Sequence, residues 1–433
     1  MSSRPLQSGV LEGGVRTVNF FNGRTLTSED LIQERAANRA FDTRLGLALG
    51  TGVAYGLEVT ASPPKSDQPQ SDQPGPTVAI APGLAINTLG QTLGLANPID
   101  LALTRPSPAD SAGPADFGPC APPQASVPVA ATGVYVLVIG PATQRVGRAS
   151  VSDATGAGCG CRPASDCQAR DLVEGVQFRM VPLPLSTTEL ASGPLLRSLT
   201  ARACLGLDDP LDFTPLIDPL GPTAPPGLVT RLRGANQITA CEVPLAVLGW
   251  DASAGLVFVD RWAVRRRPTR PSLGTLWGTL LDEERRTRSE ALLLQFQEHA
   301  AELLALVQEP AALHVSQVFG HLPPVGFLPV ATPRSRGVNP AVFVDPRGST
   351  ALPQIDAAQV PALLEEGLTR PAIGVGDSDP IQLYLIRENA LAFQAGAVAE
   401  LTLVFARADL PYRATARFDS ALWDLSRFSP EVL

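Results

Sequence analysis

The densest group of reactive side chains lies in the stretch CGCRPASDC, which carries Cys159, Cys161 and Cys167. Three readings stay open for it: free thiols in a loop, a disulfide, or part of a zinc site. A thiolate zinc site usually takes four ligands. The C-x-C-x5-C spacing supplies three, so a fourth would have to come from Cys120, Cys204 or a more distant residue. The three histidines, His299, His314 and His321, lie far along the chain from this cluster. His299 is expected on the solvated side of a helix. His314 and His321 flank HVSQVFGH, which lacks the nearby carboxylates that would complete a metal site. In GDSDP, Asp377 and Asp379 sit two apart in a Gly/Pro turn. Such carboxylates can hold calcium, but Asp in a turn more often bonds its own backbone.

Catalytic patterns are missing from the sequence. It has no G-x-S-x-G elbow, no P-loop, no H-E-x-x-H, no EF-hand loop and no G-x-G-x-x-G opening a helix. Three histidines leave little room for a Ser-His-Asp constellation. No enzyme activity and no cofactor are expected. The net charge of −8 argues against a duplex nucleic-acid binder, which needs a concentrated basic face. No run approaches the length of a transmembrane segment, and residues 1–14 lack the apolar core of a signal peptide. Synthesis in the cytoplasm is expected. A single lysine, Lys65, among 34 basic residues makes the charge almost wholly arginine.

With 42 Pro, 38 Gly and 5% aromatics, the chain must be cut into short elements, which favours a β-rich protein. Two helices stand out. In TLTSEDLIQERAANRAFDTRLGLALG, Thr27 or Ser28 can cap a helix over 28–47, with Glu29 and Asp30 favoured in its first turn. Ala37, Phe41 and Leu45 share a face, with Leu31 near its edge, and Gly50 and Gly52 end the helix. That face could pack on a sheet or serve as a docking or oligomerising element. Leu31 and Leu45 are two heptads apart, but polar Asn38 falls midway, so the pattern does not predict a coiled coil. The second helix spans 281–308. Leu292, Phe296, Ala300, Leu303 and Val307 form its apolar stripe, and Pro310 ends it.

Strands are expected at TGVAYGLEVT, across 77–103, at GVYVLVIGPATQRV and at DLVEGVQFRMVPLPL. Residues 241–268 read as two strands about an Asp-Ala-Ser-Ala-Gly turn. IQLYLIREN and AVAELTLVFARADLPYRATARF read as a further sheet unit. The fold class is therefore α+β, mostly β, in several small modules. The expected division is 1–104 (helix plus β-hairpins), 105–127 (Pro/Ala-rich linker), 128–270 (β-rich, with the Cys loop), 271–310 (helical) and 311–433 (C-terminal β-rich). The arginine run 265–267 reads as a strand end or as a partner-docking patch.

The motifs come in a long fixed order: Phe20, Phe21, Asn22 and Gly23, then Leu26, Thr27, Glu29 and Asp30, then Gly52, Val53, Gly56 and Leu57, then Pro82, Gly83 and Ala85. With the later strand pairs, ending in VDRWAVRRR, this order resembles a family encoded with phage-tail-like contractile injection systems. The likeness covers about residues 17–310. It implies a structural or accessory subunit at the baseplate, or a fibre-like appendage, without enzyme activity. Its partners would be other subunits of the particle and further copies of itself, and the particle could be released from the cell. Phe20, Phe21, Leu31, Leu45, Arg265, Arg266 and Arg267 are the expected docking residues. An alternative is a surface- or glycan-binding appendage acting through residues 311–433, with Tyr384, Tyr412 and Trp423 as aromatic platforms.

Overall fold

The computed structural model describes residues 11–62, 77–103, 131–147, 149–150, 167–207, 227–269, 283–343, 352–375 and 381–407. Cys120, Cys159, Cys161, the Asp377/Asp379 turn, Tyr412, Trp423 and the 105–127 segment lie outside these residues. The protein is α+β. It forms two compact units, Met1–Ala291 and Leu292–Leu433.

The first unit opens with α1 (Ser28–Leu49). Its start follows from local chemistry. The Thr27 side chain accepts from the Asp30 N–H (3.2 Å) and the Asp30 carboxylate accepts from the Thr27 N–H (3.0 Å), a reciprocal capping box. Those bonds hold the Asp30 carboxyl below its usual range. Gly50, with φ 88°, caps the other end.

Six short strands follow: β1 (Gly52–Gly56), β2 (Val59–Ala61), β3 (Thr77–Ile80), β4 (Gly83–Ile86), β5 (Thr92–Leu95) and β6 (Ile99–Ala102). They form two antiparallel sheets, ordered β1-β4-β5 and β2-β3-β6. The long strands β7 (Gly133–Val146) and β10 (Asp171–Pro182) pair along their whole length, with the two-residue strands β8 (Ala149–Ser150) and β9 (Cys167–Gln168) between them in sequence. After α2 (Thr187–Leu190), α3 (Leu196–Leu205) and α4 (Leu228–Gly234), β11 (Val243–Asp251) and β12 (Gly255–Asp260) complete an antiparallel sheet ordered β10-β7-β11-β12.

The expected turn between the last two strands is present. The Asp251 carboxylate accepts from the Ser253 hydroxyl and from the Ser253 and Ala254 N–H groups. Proline is rare inside a central strand because it cannot donate to the ladder; Pro244 is accommodated beside a register shift in β11.

One core unites these sheets. Val53, Leu57, Val78, Ile80 and Leu93 from the early strands pack with Leu137, Ile139, Met180, Leu245 and Leu248 of the larger sheet. The strands assigned from sequence to the 1–104 and 128–270 modules therefore share a single apolar interior. Two buried ion pairs brace this unit. Arg179 makes a two-pronged contact with Glu242, both bonds 2.8 Å, and Arg197 donates to Asp260 at 3.0 Å.

Helix α5 (Glu283–Leu306) carries the boundary between the units within its length. Leu292, Phe296 and Ala300 of its apolar stripe are buried. In the second unit, β13 (His321–Leu322) and β14 (Val325–Val330) precede α6 (Pro340–Phe343), β15 (Gln354–Ile355) and α7 (Val360–Gly367). Then come β16 (Ile373–Gly374), β17 (Ile381–Ile386), α8 (Arg387–Gln394) and β18 (Leu401–Arg407). The main sheet is ordered β14-β18-β17-β15, with only the β15–β17 pairing parallel. Sequence pattern placed REN with the preceding strand; it opens α8 instead.

The rings of Phe296, Phe319 and Phe405 cluster at centroid distances of 4.9 and 5.3 Å. His299, expected in solvent, is 4% exposed and lies edge-on to Phe319 at 4.9 Å. The apolar face of α5 is wide enough to take in a residue that the stripe of Leu and Phe leaves at its margin.

Candidate docking site

In the N-terminal segment Val18 is buried, while Phe20, Phe21 and Leu26 point away from the core. The turn at Asn22-Gly23 closes with an Arg24 N–H to Phe21 carbonyl bond of 3.2 Å, and Gly23 takes φ 89°, a left-handed conformation suited to glycine. Arg24 ties this turn to α1. Its guanidinium donates to the Asn19 carbonyl at 2.8 Å and pairs with Asp30. Fixed in this way, Phe20 is 56% exposed and Phe21 62% exposed, and Leu26 is exposed beside them.

Helix α1 rests on the unit by its small residues. Ala37 and Gly46 are its buried positions. A β-carbon on Gly46 would collide with the Gly90 carbonyl, so glycine there permits a close backbone approach. The 87–91 turn that receives it is rigid. Buried Asn87 donates to the Gln91 side chain (2.8 Å) and the Cys241 carbonyl (3.2 Å), and accepts from the Leu89 and Gln91 N–H groups. Further along, Arg35 and Arg39 both pair with Glu174 of β10, and Glu34 accepts from the Val18 N–H at 3.2 Å.

The opposite face of α1 carries Leu31, Asn38, Phe41, Leu45 and Leu49, all exposed. The expected stripe of Ala37, Phe41 and Leu45 is thus split. Ala37 faces inward, and the large side chains face water. Contiguous exposed apolar surface of this kind marks an interaction face in soluble proteins.

The arginine run behaves in the opposite way, which corrects the expectation that it forms a docking patch. Arg265 is buried. It donates to the Leu57 carbonyl (3.1 Å) and the Gly56 carbonyl (2.6 Å), with Glu58 at 3.7 Å. Burial lowers its pKa, opposed by the Glu58 carboxylate. Leu57 is fully buried with φ 57°, an uncommon conformation for a side-chain-bearing residue, and its N–H donates to the Pro82 carbonyl at 3.2 Å. Gly56, at φ 62°, packs against the Pro82–Gly83 backbone and pairs with Gly83 across β1 and β4.

Gly56, Leu57, Pro82, Gly83 and Arg265, far apart in sequence, thus meet at one junction. Arg266 turns back onto the Trp262, Ala263 and Arg265 carbonyls. Its own carbonyl accepts the Val53 N–H at 2.8 Å. Only Arg267 is exposed, paired with Glu290 at 2.9 Å.

Of the cysteines, Cys167 begins the short strand β9. Cys241 is disulfide-bonded, and Cys204 is a buried free thiol whose pKa burial pushes up to about 12. No cluster of three or more metal-ligating side chains occurs among the described residues. No helix among them is long and apolar enough to cross a membrane. In the second unit, an open groove is lined by Glu309, Pro310, Thr332, Ser335 and Arg336, and Arg336 donates to the Val307 carbonyl. Tyr384 is 7% exposed within the small core of Val325, Ile355 and Val404, so it is no platform for a sugar.

Sequence reasoning missed Asn87, Glu174 and Gly46. The last left a signal, since an isolated glycine inside a helix often marks a close approach.

No family model matches the sequence, and no curated protein matches it. Among solved structures, the chain is similar to one described as the crystal structure of TssK, at 12% identity and a TM-score of 0.24, over 68% of this chain and 52% of that one. It is also similar to a chain of the TssK-TssF-TssG baseplate subcomplex of the type VI secretion system, solved by cryo-electron microscopy. There the identity is 12% and the TM-score 0.23, over 67% of this chain and 72% of that one. The chain spans about half the length of the TssK crystal-structure chain that it matches.

Proposed function

We propose that the chain is a non-enzymatic structural subunit of a contractile, phage-tail-like injection particle, placed at the baseplate or its fibres. On this reading it is made in the cytoplasm, joins other subunits there, and leaves the cell only as part of a released particle. The observation that carries the reading is the ordered motif set from Phe20 to Arg267. What supports it is how those residues divide their work. Gly56, Leu57, Pro82, Gly83 and Arg265 hold one internal junction. Phe20 and Phe21 stand out from a braced turn. An apolar pair held outward on a rigid turn suits permanent assembly, because little side-chain or backbone freedom remains to be lost on docking.

The test is a pull-down from producing cells through a tag on Leu433, followed by mass spectrometry and negative-stain imaging. Tail-like tubes carrying this chain at one end are expected. A free chain with no particle subunits in the eluate overturns the reading.

A further inference from the structure

Asn22 and Gly23 are the only Asn-Gly pair in the sequence, and they lie in the turn that follows Phe20 and Phe21. Both are exposed. The backbone bond that closes the turn runs from the Arg24 N–H to the Phe21 carbonyl, so it spans the central Asn22–Gly23 peptide without using it. Among the described residues, nothing bonds to the Gly23 N–H or to the Asn22 side-chain amide. Nor does any residue beyond the two chain neighbours come within 4 Å of where a β-carbon on Gly23 would stand. The nitrogen next to Asn22 is thus uncommitted and unshielded. Asn87 shows the opposite state. It is 1% exposed, its side chain holds four hydrogen bonds, and the N–H that follows it, on Thr88, donates to the Ala240 carbonyl at 3.2 Å.

We propose that Asn22 is a site of spontaneous deamidation, with the Gly23 nitrogen as its nucleophile. On losing its proton, that nitrogen attacks the carbonyl carbon of the Asn22 side chain. A C–N bond forms and closes a succinimide ring. The bond to the side-chain nitrogen breaks, and that nitrogen takes up the proton and leaves as ammonia. Water then opens the ring. Cleavage between the ring nitrogen and the side-chain carbon gives aspartate at position 22. Cleavage between the ring nitrogen and the main-chain carbon gives isoaspartate, in which the backbone runs through the former side chain. Neither step needs an oxidant, a reductant or an enzyme. Glycine obstructs the attack least, because no β-carbon crowds its nitrogen.

Either product places a carboxylate beside Phe20 and Phe21, and isoaspartate also lengthens the turn by a methylene. A carboxylate taken out of water without a partner is costly, so the modified turn should dock poorly on an apolar surface. That consequence rests on the proposed docking role of Phe20 and Phe21; the chemistry at Asn22 does not.

The test uses the purified full-length chain, kept folded at mildly alkaline pH and sampled over days. Peptide mapping by mass spectrometry should show the amide-to-acid mass gain growing on the peptide that carries Asn22, and growing faster as pH is raised. An isoaspartyl methyltransferase assay should find isoaspartate as the main product. Asn87 should stay intact in the same digest, and Asn22→Gln, which would have to close a larger ring, should abolish the gain. An Asn22 that stays as intact as Asn87 overturns the proposal. So does a gain that begins only after the circular dichroism spectrum shows unfolding. In producing cells, chain captured on particles should carry less of the modification than free chain; equal fractions overturn the docking consequence. A chain that converts as expected but is found on no particle faults the docking role and leaves the chemistry supported.

Discussion

The N-terminal segment and the arginine run at 265–267 look alike in sequence as docking surfaces, yet the fold puts them to opposite uses. Around Arg265, charge is turned inward. One guanidinium satisfies two carbonyls of a left-handed turn and locks β1, the 82–83 turn and the end of the larger sheet together. Around α1, apolar surface is turned outward, because glycine and alanine have been spent on seating the helix. A charge buried against backbone carbonyls is a structural brace. An exposed Leu and Phe stripe on a capped helix is apolar surface left in water, the kind that marks interaction faces. The two residue types have exchanged their usual places, and function should follow the exchange.

This contrast can be broken by substitution. The largest loss of stability is expected from Arg265→Ala, which leaves the Gly56 and Leu57 carbonyls without their donor. Buried groups stripped of a charged partner cost on the order of 3 kcal/mol, read as a drop in the denaturant midpoint. Thr27→Ala should cost about 1 kcal/mol, because it removes half of the capping box while leaving the α1 stripe intact. The same cap has a pH signature. The Asp30 carboxyl is held below its ordinary value, so its contribution is present above the unfolded carboxylate range and is lost as pH falls through the folded value. Helicity of α1 should therefore weaken at acid pH, and Asp30→Asn should flatten that response.

Arg267→Ala, at the exposed pair with Glu290, should change stability by about 0.5 kcal/mol or less, and less still at high salt. The smallest chemical response is expected at Cys204. With its thiol pushed up to about 12, it should resist alkylation at neutral pH in the native chain and react only on unfolding. Rapid native labelling at that residue would show that α3 opens far more readily than its packing implies.

Local chemistry was legible in the sequence where it acts over a few residues. A cap at Thr27 or Ser28, the Asp251 turn and the stop at Gly50 all depend on neighbours within one turn; that Thr27 and Asp30 form the cap reciprocally came only from the structure. So were the two long strands β7 and β10, from their apolar pattern; that they pair along their whole length is shown by the structure. The orientation of α1 was not legible, because an apolar stripe predicts burial only when nothing smaller competes for the same contact. Here Gly46 fits against Gly90, and no large residue can. Arg265 was misread for the related reason that a run of arginines has no local sign of the carbonyls that will receive it, which come from residues more than two hundred positions earlier. His299 was placed in solvent because its aromatic neighbour, Phe319, lies on another element.

The central claim is that docking belongs to the exposed N-terminal segment and bracing to the buried arginine. It is tested most directly by retention of a Phe20→Ser, Phe21→Ser variant on particles captured from producing cells, measured against wild type. Both side chains are exposed, so the variant should fold and melt as wild type does, and it should be lost from the particles. Retention of the variant at the wild-type level would contradict the claim.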